Sequence, residues 1–286
     1  MNCRNSDFYK EKSRQYVEDG FCVIENVLDD AYLKTIQKLC SDYLSSVSDK
    51  HRNNQISTGS LIDVSKMPEL VNLITYPKAL QAYEEMGFDD VRFSTGYLIS
   101  KPPQSPPLFW HFDWMGWDHP RSYEKGPLQT FFMYYLVDTN VENGCLKVIP
   151  KSHIEEHPLH DLMRSAHTED LRQAKDLNAN EFLPHPDEVN VCVKAGDLVI
   201  GDSRIIHGSH PNNSNVERPV ITLWMHPNYS QMPEELQAFT ANINYNSWSP
   251  QTQKTLESFK PSYHGTVESI KRSRNREKRS DYLNKK

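Results

Sequence analysis

The sequence has no long apolar run, few cysteines and no excess of basic residues. No stretch approaches the ~18 consecutive apolar residues that a membrane-spanning helix needs, so we expect no membrane partner. Five cysteines among 286 residues, without a CxxC pair, argue against a disulfide framework or a zinc knuckle. A net charge of -6 argues against a nucleic-acid partner, since such domains are normally basic. The first residues are polar and lack the apolar core of a signal peptide, so we predict a cytoplasmic protein.

The composition suits one folded domain. Hydrophobic residues make up 37% and aromatic residues 10% of the chain, enough for a sizeable core, and no internal repeat divides it. We predict a single domain at 1–270, with a helical lead-in at 1–90, a barrel at 91–230 and a helical segment at 231–270. Residues 271–286 form a basic tail with eight lysines or arginines and two acidic residues. The tail is either a frayed, solvated end or a segment that docks or binds a polyanion.

The hydrophobic pattern changes from helical to strand-like near residue 90. Helical spacing covers residues 8–16, a short strand pattern covers 21–24, and an apolar helical stripe follows the acidic pair Asp29 and Asp30. Strand patterns then cover 91–99, 109–114, 130–137, 146–149, 189–193, 197–201 and 220–225. This order predicts a mostly β, antiparallel fold with flanking helices. The polar segment 155–186 interrupts the strands, and insertions of that length commonly cover a site.

One strand pattern carries two metal-binding side chains. Residues i and i+2 of a strand face the same side, so His111 and Asp113 would project together. An imidazole and a carboxylate can share one divalent metal, and a histidine from a distant strand would complete a two-histidine, one-carboxylate iron(II) site. By itself the pair is a weak signal, since the chain contains twelve histidines.

A second segment strengthens this interpretation. An apolar strand pattern leads to His207, and Arg218 follows eleven residues later on the next predicted strand. Arginine binds carboxylates through two parallel hydrogen bonds. A metal site beside such a clamp is what a 2-oxo acid requires, because its keto-acid end chelates the metal while the arginine holds its far carboxylate.

Five segments in order resemble the phytanoyl-CoA dioxygenase (PhyH) family of Fe(II)/2-oxoglutarate oxygenases. They read GFCVIE at 20–25, WHFD at 110–113, ENGCL at 142–146, VIPKSH at 148–153, and HGS at 207–209 continuing to Arg218. The resemblance implies a double-stranded β-helix (jelly-roll, cupin-like) core. It implies Fe(II) bound by His111, Asp113 and His207, 2-oxoglutarate bound by Arg218, and O2 as a further cosubstrate. Lys151 stands where the family often has glycine. This departure affects a turn and leaves the implied ligands unchanged.

The activity that the resemblance implies is hydroxylation, or another oxidation, of an unactivated C–H bond in a small-molecule metabolite, with succinate and CO2 as coproducts. Asp113 favours hydroxylation, since relatives that chlorinate carbon have a small residue at this position. Two other interpretations use the same residues: a non-catalytic metal-binding barrel that acts as a binding module, and a zinc hydrolase. The hydrolase gives no reason for Arg218. Neither the substrate nor the oligomeric state can be read from the sequence.

Three further residues are weaker candidates for the site. Gln129 either hydrogen-bonds the cosubstrate or ends a strand in solvent, and Ser209 either contacts the cosubstrate or satisfies its hydroxyl in a turn. Trp117 lies beyond the strand that carries the first two ligands and is a candidate wall of the substrate pocket. The neighbouring aromatic residues are expected to pack in the core, facing away from the metal: Trp110, Phe112 and Trp114.

Other histidines compete for the metal and are assigned other roles. His210 follows His207 by three residues, but Pro211 makes a helical HxxH pair unfavourable there. A cluster at 153–160 lacks the glutamate spacing of a metalloprotease, so these histidines are expected at the surface or in a structural turn: His153, His157 and His160. His226 is expected in the core.

Overall fold

The computed structural model describes residues 3–242, 245, 247–274, 276, 277 and 281. This part of the chain contains ten strands, all paired antiparallel. They are β1 (Phe21–Ile24), β2 (Ile62–Asp63), β3 (Arg92–Lys101), β4 (Leu108–His111), β5 (Thr130–Tyr135), β6 (Leu146–Val148), β7 (Val189–Val191), β8 (Leu198–Asp202), β9 (His207–Ser209) and β10 (Arg218–His226).

Nine α-helices and five short 3-10 turns connect these strands within the described ranges. The helices are α1 (Cys3–Asp19), α2 (Asp30–Ser45), α3 (Asp49–Asn53), α4 (Val71–Ile74), α5 (Pro77–Glu85), α6 (Pro158–Leu162), α7 (Glu169–Arg172), α8 (Glu234–Ala241) and α9 (Pro250–Thr255). The side chain of Asp29 caps α2 by accepting from the Tyr32 amide at 2.9 Å. Gly20 ends α1 with φ of +89°, a conformation that glycine adopts without steric cost.

The strands form two sheets that pack face to face. The larger has the order β1-β8-β5-β10-β3-β2, and the smaller has the order β4-β9-β6-β7. Alternate residues of β5 divide between two cores, because successive strand side chains point to opposite faces. Phe131 and Met133 join the apolar cluster between the sheets. Phe132 and Tyr134 join the cluster on the other face of the larger sheet, which contains residues of α1, α2 and α5.

The predicted mostly β architecture with flanking helices is confirmed, and so are most of the predicted strands. The strand predicted at 109–114 is too long, since β4 ends at His111 and Asp113 follows it in an irregular segment. The sequence pattern also missed β2, which has only two residues. Segment 155–186 contains only the short helices α6 and α7, as its polar pattern indicated. The division of the chain at residues 90, 230 and 270 stays a prediction.

The described part of the C-terminal tail lies against the domain. The Ser273 amide donates to the Met115 carbonyl at 2.8 Å, and Ser273 forms an isolated parallel bridge with Gly116. Residues 275, 278–280 and 282–286 of the predicted basic tail lie outside the described residues. In the described ranges, no helix combines the length and apolar character that crossing a membrane requires.

Candidate metal and cosubstrate site

A cavity of about 600 Å³ opens between the two sheets and brings the predicted site residues together. Its lining includes His111, Asp113, Gln129, His207, Ser209 and Arg218. It also includes residues that the sequence patterns did not single out, among them Arg172, Thr222, Trp224, Arg272 and Arg274. Side chains from both sheets, from segment 155–186 and from the C-terminal segment therefore meet at one cavity.

His111 and His207 present equivalent nitrogen atoms to Asp113. His111 Nε2 lies 3.6 Å from Asp113 Oδ1, and His207 Nε2 lies 3.6 Å from Asp113 Oδ2. Each Nδ1 lies next to a backbone carbonyl, that of Phe109 at 3.0 Å and that of Ile205 at 3.1 Å. Because a carbonyl oxygen can only accept, Nδ1 carries the hydrogen in both rings and Nε2 keeps a lone pair directed at Asp113. Metal-binding histidines in proteins are oriented by this kind of hydrogen bond.

Burial keeps His111 in the form that a metal ion needs. Its side chain is 5% exposed. Burial lowers the pKa of His111 well below its usual range, and the nearby His207 and His167 lower it further. A metal binds the neutral imidazole, so the lowered pKa keeps this ligand available without the loss of a proton.

Asp113 is held in place although it lies beyond the end of β4. Its amide donates to the Ser203 carbonyl at 2.8 Å, and the indole Nε1 of Trp224 donates to Asp113 Oδ2 at 2.9 Å. Trp224 belongs to β10 of the larger sheet, whereas Asp113 comes just after β4 of the smaller sheet. A strand of one sheet therefore orients a carboxylate supplied by the other. No sequence motif pointed to Trp224, because the contact joins residues 111 positions apart.

His167 is a further side chain that could hold a metal ion with His111 and Asp113, and sequence reasoning missed it. One donor atom each from His111, Asp113 and His167 lie within 4.8 Å of one another. His167 comes from segment 155–186, has a left-handed backbone with φ of 62°, and packs edge-on against His111. Among the described residues, no hydrogen bond fixes its imidazole as Ile205 fixes that of His207. The orientation of His207 therefore favours it over His167 as the third ligand.

Arg218 also lines the cavity, as a buried cation that forms no ion pair with the described residues. It is 4% exposed, its Nε has no hydrogen-bond partner in the described part of the chain, and the Tyr135 ring lies 5.9 Å from its guanidinium carbon. Its register partner across β3 and β10 is Lys101, which is also buried. Burial and the neighbouring Arg218 hold the pKa of Lys101 well below its usual range. An anion beside Arg218 would relieve the cost of burying these groups.

Two other buried polar atoms of the same cavity lack partners in the described part of the chain. Ser209 Oγ and Thr222 Oγ1 line the cavity and have no hydrogen-bond partner among the described residues. Buried hydroxyl groups are normally hydrogen-bonded, so unpaired ones in a cavity that also contains a buried cation indicate a polar ligand. Gln129 lines the same cavity and is half-buried rather than at a solvent-facing strand end.

Trp117 is not among the described residues that line the cavity. It is 1% exposed and packs edge-on against Phe112 and Tyr123, at ring-centroid distances of 5.3 and 5.4 Å. This is the position of a core residue. The neighbouring tryptophans are also in the core, as expected: Trp110 and Trp114 are each 1% exposed.

The competing histidines have other hydrogen-bond partners in the structure. His210 Nε2 lies 2.6 Å from Asn190 Oδ1, outside the cavity lining. His153 Nε2 lies 3.1 Å from the Val17 carbonyl. A side chain at Gly20 would collide with the His153 ring, so the family-like segments 20–25 and 148–153 are in contact. His157 and His160 form the capping box of α6. His226 is buried and bonds the Leu128 carbonyl through Nδ1 at 2.9 Å.

Comparison with known proteins shows the family of the chain. Residues 16–220 match the family model described as phytanoyl-CoA dioxygenase (PhyH). A probable alpha-ketoglutarate-dependent hypophosphite dioxygenase of Stutzerimonas stutzeri is 21% identical over 75% of this chain and 77% of its own length. A phytanoyl-CoA dioxygenase domain-containing protein 1 homolog of Dictyostelium discoideum is 31% identical over 34% of each chain.

Solved structures share the fold at low sequence identity. The epimerase SnoN, in complex with Fe3+, alpha ketoglutarate and nogalamycin RO, has a TM-score of 0.59 at 16% identity and covers 85% of this chain and 93% of its own. HygX from Streptomyces hygroscopicus, with nickel, 2-oxoglutarate and hygromycin B bound, has a TM-score of 0.57 at 17% identity, covering 77% and 87%. The predicted jelly-roll core is thereby confirmed. Since the family match spans most of the chain, the protein belongs to the phytanoyl-CoA dioxygenase family and is a 2-oxoglutarate-dependent non-haem iron dioxygenase.

Proposed function

We propose that the enzyme binds iron through His111, Asp113 and His207 and hydroxylates, or otherwise oxidises, an unactivated C–H bond of a small-molecule metabolite. The observation that carries the proposal is the shared orientation of the two histidines. Both Nε2 atoms lie 3.6 Å from Asp113, and both Nδ1 atoms are engaged by backbone carbonyls. Two neutral imidazoles and one carboxylate match the donor set of non-haem iron(II) oxygenases.

The cosubstrate fits the same cavity. We assign the far carboxylate of 2-oxoglutarate to Arg218, whose planar guanidinium can donate two parallel hydrogen bonds. Ser209 and Thr222 supply hydroxyl donors that lack partners among the described residues. Gln129 is a further candidate donor, because it lines the same cavity as Arg218.

The protein residues position the reactants and exclude water. Iron and 2-oxoglutarate supply the oxidising power when bound, with succinate and CO2 as coproducts. Trp224 fixes the carboxylate of Asp113, and the backbone carbonyls fix the rings of His111 and His207. Asp113 favours hydroxylation over halogenation, since its carboxylate occupies the position that chlorinating relatives leave open. The burial of both histidines limits the access of bulk water to the ligands.

A small-molecule substrate is supported by the names of similar proteins. These name hypophosphite, hygromycin B and 5-hydroxyectoine, each with a different relative or structural neighbour. The variety of these molecules supports the substrate class and selects no single compound. A cytoplasmic location stays a prediction from the sequence.

Formation of a ternary complex tests the proposal. The purified protein is mixed anaerobically with Fe(II) and 2-oxoglutarate, and the visible metal-to-ligand charge-transfer band is recorded. We expect the band to form and succinate to appear after O2 is admitted, slowly in the absence of substrate. A protein that binds Fe(II) without the band or succinate would instead be a non-catalytic metal-binding module. A zinc hydrolase would likewise give no succinate.

A further inference from the structure

A second group of arginines lines the same cavity, separate from Arg218. Arg172 ends helix α7, and Arg272 and Arg274 belong to the C-terminal segment. That segment is tied to the domain by the hydrogen bond from Ser273 to Met115. Arg276 adds to this attachment, since its guanidinium lies 5.5 Å from the centre of the Trp117 ring. The segment therefore delivers its arginines to a defined position.

These arginines lack the partners that other arginines of the protein have. Arg172 Nε and Arg274 Nη1 are buried atoms without a hydrogen-bond partner in the described ranges. Within the same ranges, no carboxylate oxygen lies within 4.0 Å of the side-chain nitrogens of Arg172, Arg272 or Arg274. By contrast, Arg164 bonds Glu181 at 2.8 Å and Arg204 bonds Asp202 at 2.6 Å.

The proposed metal site leaves these cations uncompensated. At the proposed ligands, Asp113 would neutralise one charge of Fe(II), and the two negative charges of 2-oxoglutarate would be matched by the remaining charge of the metal and by Arg218. Among the described residues that line this cavity, the acidic ones are Asp63 and Asp113.

We propose that the substrate is an oxyanion-bearing acid whose anionic group is bound by Arg172 and Arg274, with Arg272 at the more exposed rim. The proposal rests on the proposed function of this cavity and specifies its substrate class. Planar guanidinium groups recognise carboxylates and phosphates or phosphonates by the same parallel hydrogen bonds, so the shared chemistry is an oxyanion. The rest of the molecule then extends towards the metal ligands past His167, which lines the cavity beside both arginines.

Anion binding at saturating 2-oxoglutarate tests this assignment directly. The cosubstrate occupies Arg218, so further anion binding reports on the other arginines. Inorganic phosphate and acetate are titrated separately by anaerobic calorimetry into the Fe(II) protein, and the comparison distinguishes phosphate-type from carboxylate-type substrates. We expect at least one of the two anions to bind to the wild type. In Arg274→Gln and in Arg172→Gln its affinity should fall by about tenfold or more. Arg274→Lys keeps the charge and should recover part of the binding.

Lys271→Gln is the matched control, because Lys271 is exposed in the same segment and its loss removes the same charge. We expect its anion affinity to stay within about twofold of the wild type. Equal affinities in all variants, or no binding of either anion, would overturn the proposal. The charge-transfer band is recorded in parallel: its absence from the wild type would refute the cosubstrate assignment, while the comparison of variants would still decide the anion site.

Turnover provides an independent measurement. Succinate release is followed with pairs of compounds that differ only in an acid group and its amide. We expect the compounds that accelerate succinate release to be acids, to lose this effect as amides, and to show a raised KM in Arg274→Gln. A neutral compound that accelerates release equally in the wild type and in Arg274→Gln would contradict the proposal.

Discussion

His111 and His207 are direct register partners across the antiparallel strands β4 and β9, with ring centroids 4.2 Å apart. Residues opposite each other on neighbouring strands project to the same face of a sheet. The pairing therefore directs both imidazoles into one cavity, and a slip of one residue would turn one of them away. A β9 of only three residues is sufficient, because its neighbours β4 and β6 hold it on both sides.

The first prediction concerns His207 as the distal ligand. His207→Ala removes a nitrogen donor directed at Asp113, so we expect Fe(II) binding to weaken strongly and succinate formation to be lost. His210→Ala is the matched control, since His210 lies three positions further on and bonds Asn190 outside the cavity. Fe(II) binding is measured by anaerobic equilibrium dialysis. Normal iron binding and turnover in His207→Ala would show that another group, such as His167, completes the site.

The sequence predicted the residues that motifs and strand patterns place, and it missed those that depend on distant contacts. His111 and Arg218 could be identified because an HxD pair and an arginine on a later strand are visible locally. The position of Lys101 opposite Arg218 could not be predicted, since it depends on the register of two strands that are far apart in the sequence. Trp224 and His167 were also missed. Trp224 contacts Asp113 from the other sheet, and His167 comes from an irregular insertion.

The second prediction concerns the hydrogen bond from Trp224 to Asp113. Trp224→Phe keeps an aromatic ring but removes the donor 2.9 Å from Asp113 Oδ2. Loss of such an orienting partner typically weakens metal binding by about 10–100-fold, and we expect a change of this size in Fe(II) affinity. Trp248→Phe is the control, because Trp248 lines the same cavity without a hydrogen bond to Asp113 in the described structure. Equal iron affinity in both variants would remove the positioning role from Trp224.

The third prediction concerns the acid stability of the metal-free protein. Burial lowers the pKa of His226 to about 4, while the unfolded chain titrates at its ordinary value of about 6.5. The unfolded state thus binds the proton first as pH falls, and stability is lost between about pH 6.5 and pH 4. From pH 7 to pH 5, His226 should account for a loss of about 2 kcal/mol in the free energy of unfolding.

Urea unfolding of His226→Gln at both pH values measures this contribution. We expect a smaller loss of stability on acidification than in the wild type, since glutamine does not titrate. His264→Gln is the control, because His264 is exposed. A pH dependence unchanged by His226→Gln would mean that this histidine is not the group protonated on unfolding.

The fourth prediction concerns segment 155–186, which contributes His167 and Arg172 to the cavity. A small apolar cluster of Phe109, Leu171 and Phe182 anchors it to β4. Ligands that contact the cavity should stabilise the segment, so trypsin should cleave at the exposed Lys175 more slowly when Fe(II) and 2-oxoglutarate are bound. Cleavage at Lys10 in α1 is the internal control and should not change. Equal rates at Lys175 in both states would show that the segment is independent of the site.

The last prediction tests Arg218 as the clamp for 2-oxoglutarate. Arg218 is buried, carries a positive charge beside Lys101, and has an unpartnered Nε in the described part of the chain. Arg218→Lys keeps the charge but loses the planar arrangement of donors that matches a carboxylate. We therefore expect 2-oxoglutarate to bind at least about tenfold more weakly, with a corresponding rise in its KM. Fe(II) affinity should change little, because Arg218 is not among the proposed ligands.

The measurement is an anaerobic titration of the Fe(II) protein with 2-oxoglutarate, followed by the charge-transfer band. Arg14→Lys is the matched control, since Arg14 is half-exposed on α1 and pairs only with Glu11 and Glu18 among the described residues. Because the two substitutions are chemically identical, a difference between them isolates the geometry of the guanidinium at position 218. If the titrations of the wild type and of both variants superimposed, the far carboxylate of 2-oxoglutarate would lie elsewhere. Another ligand would then have to account for the hydroxyls of Ser209 and Thr222, which lack partners among the described residues.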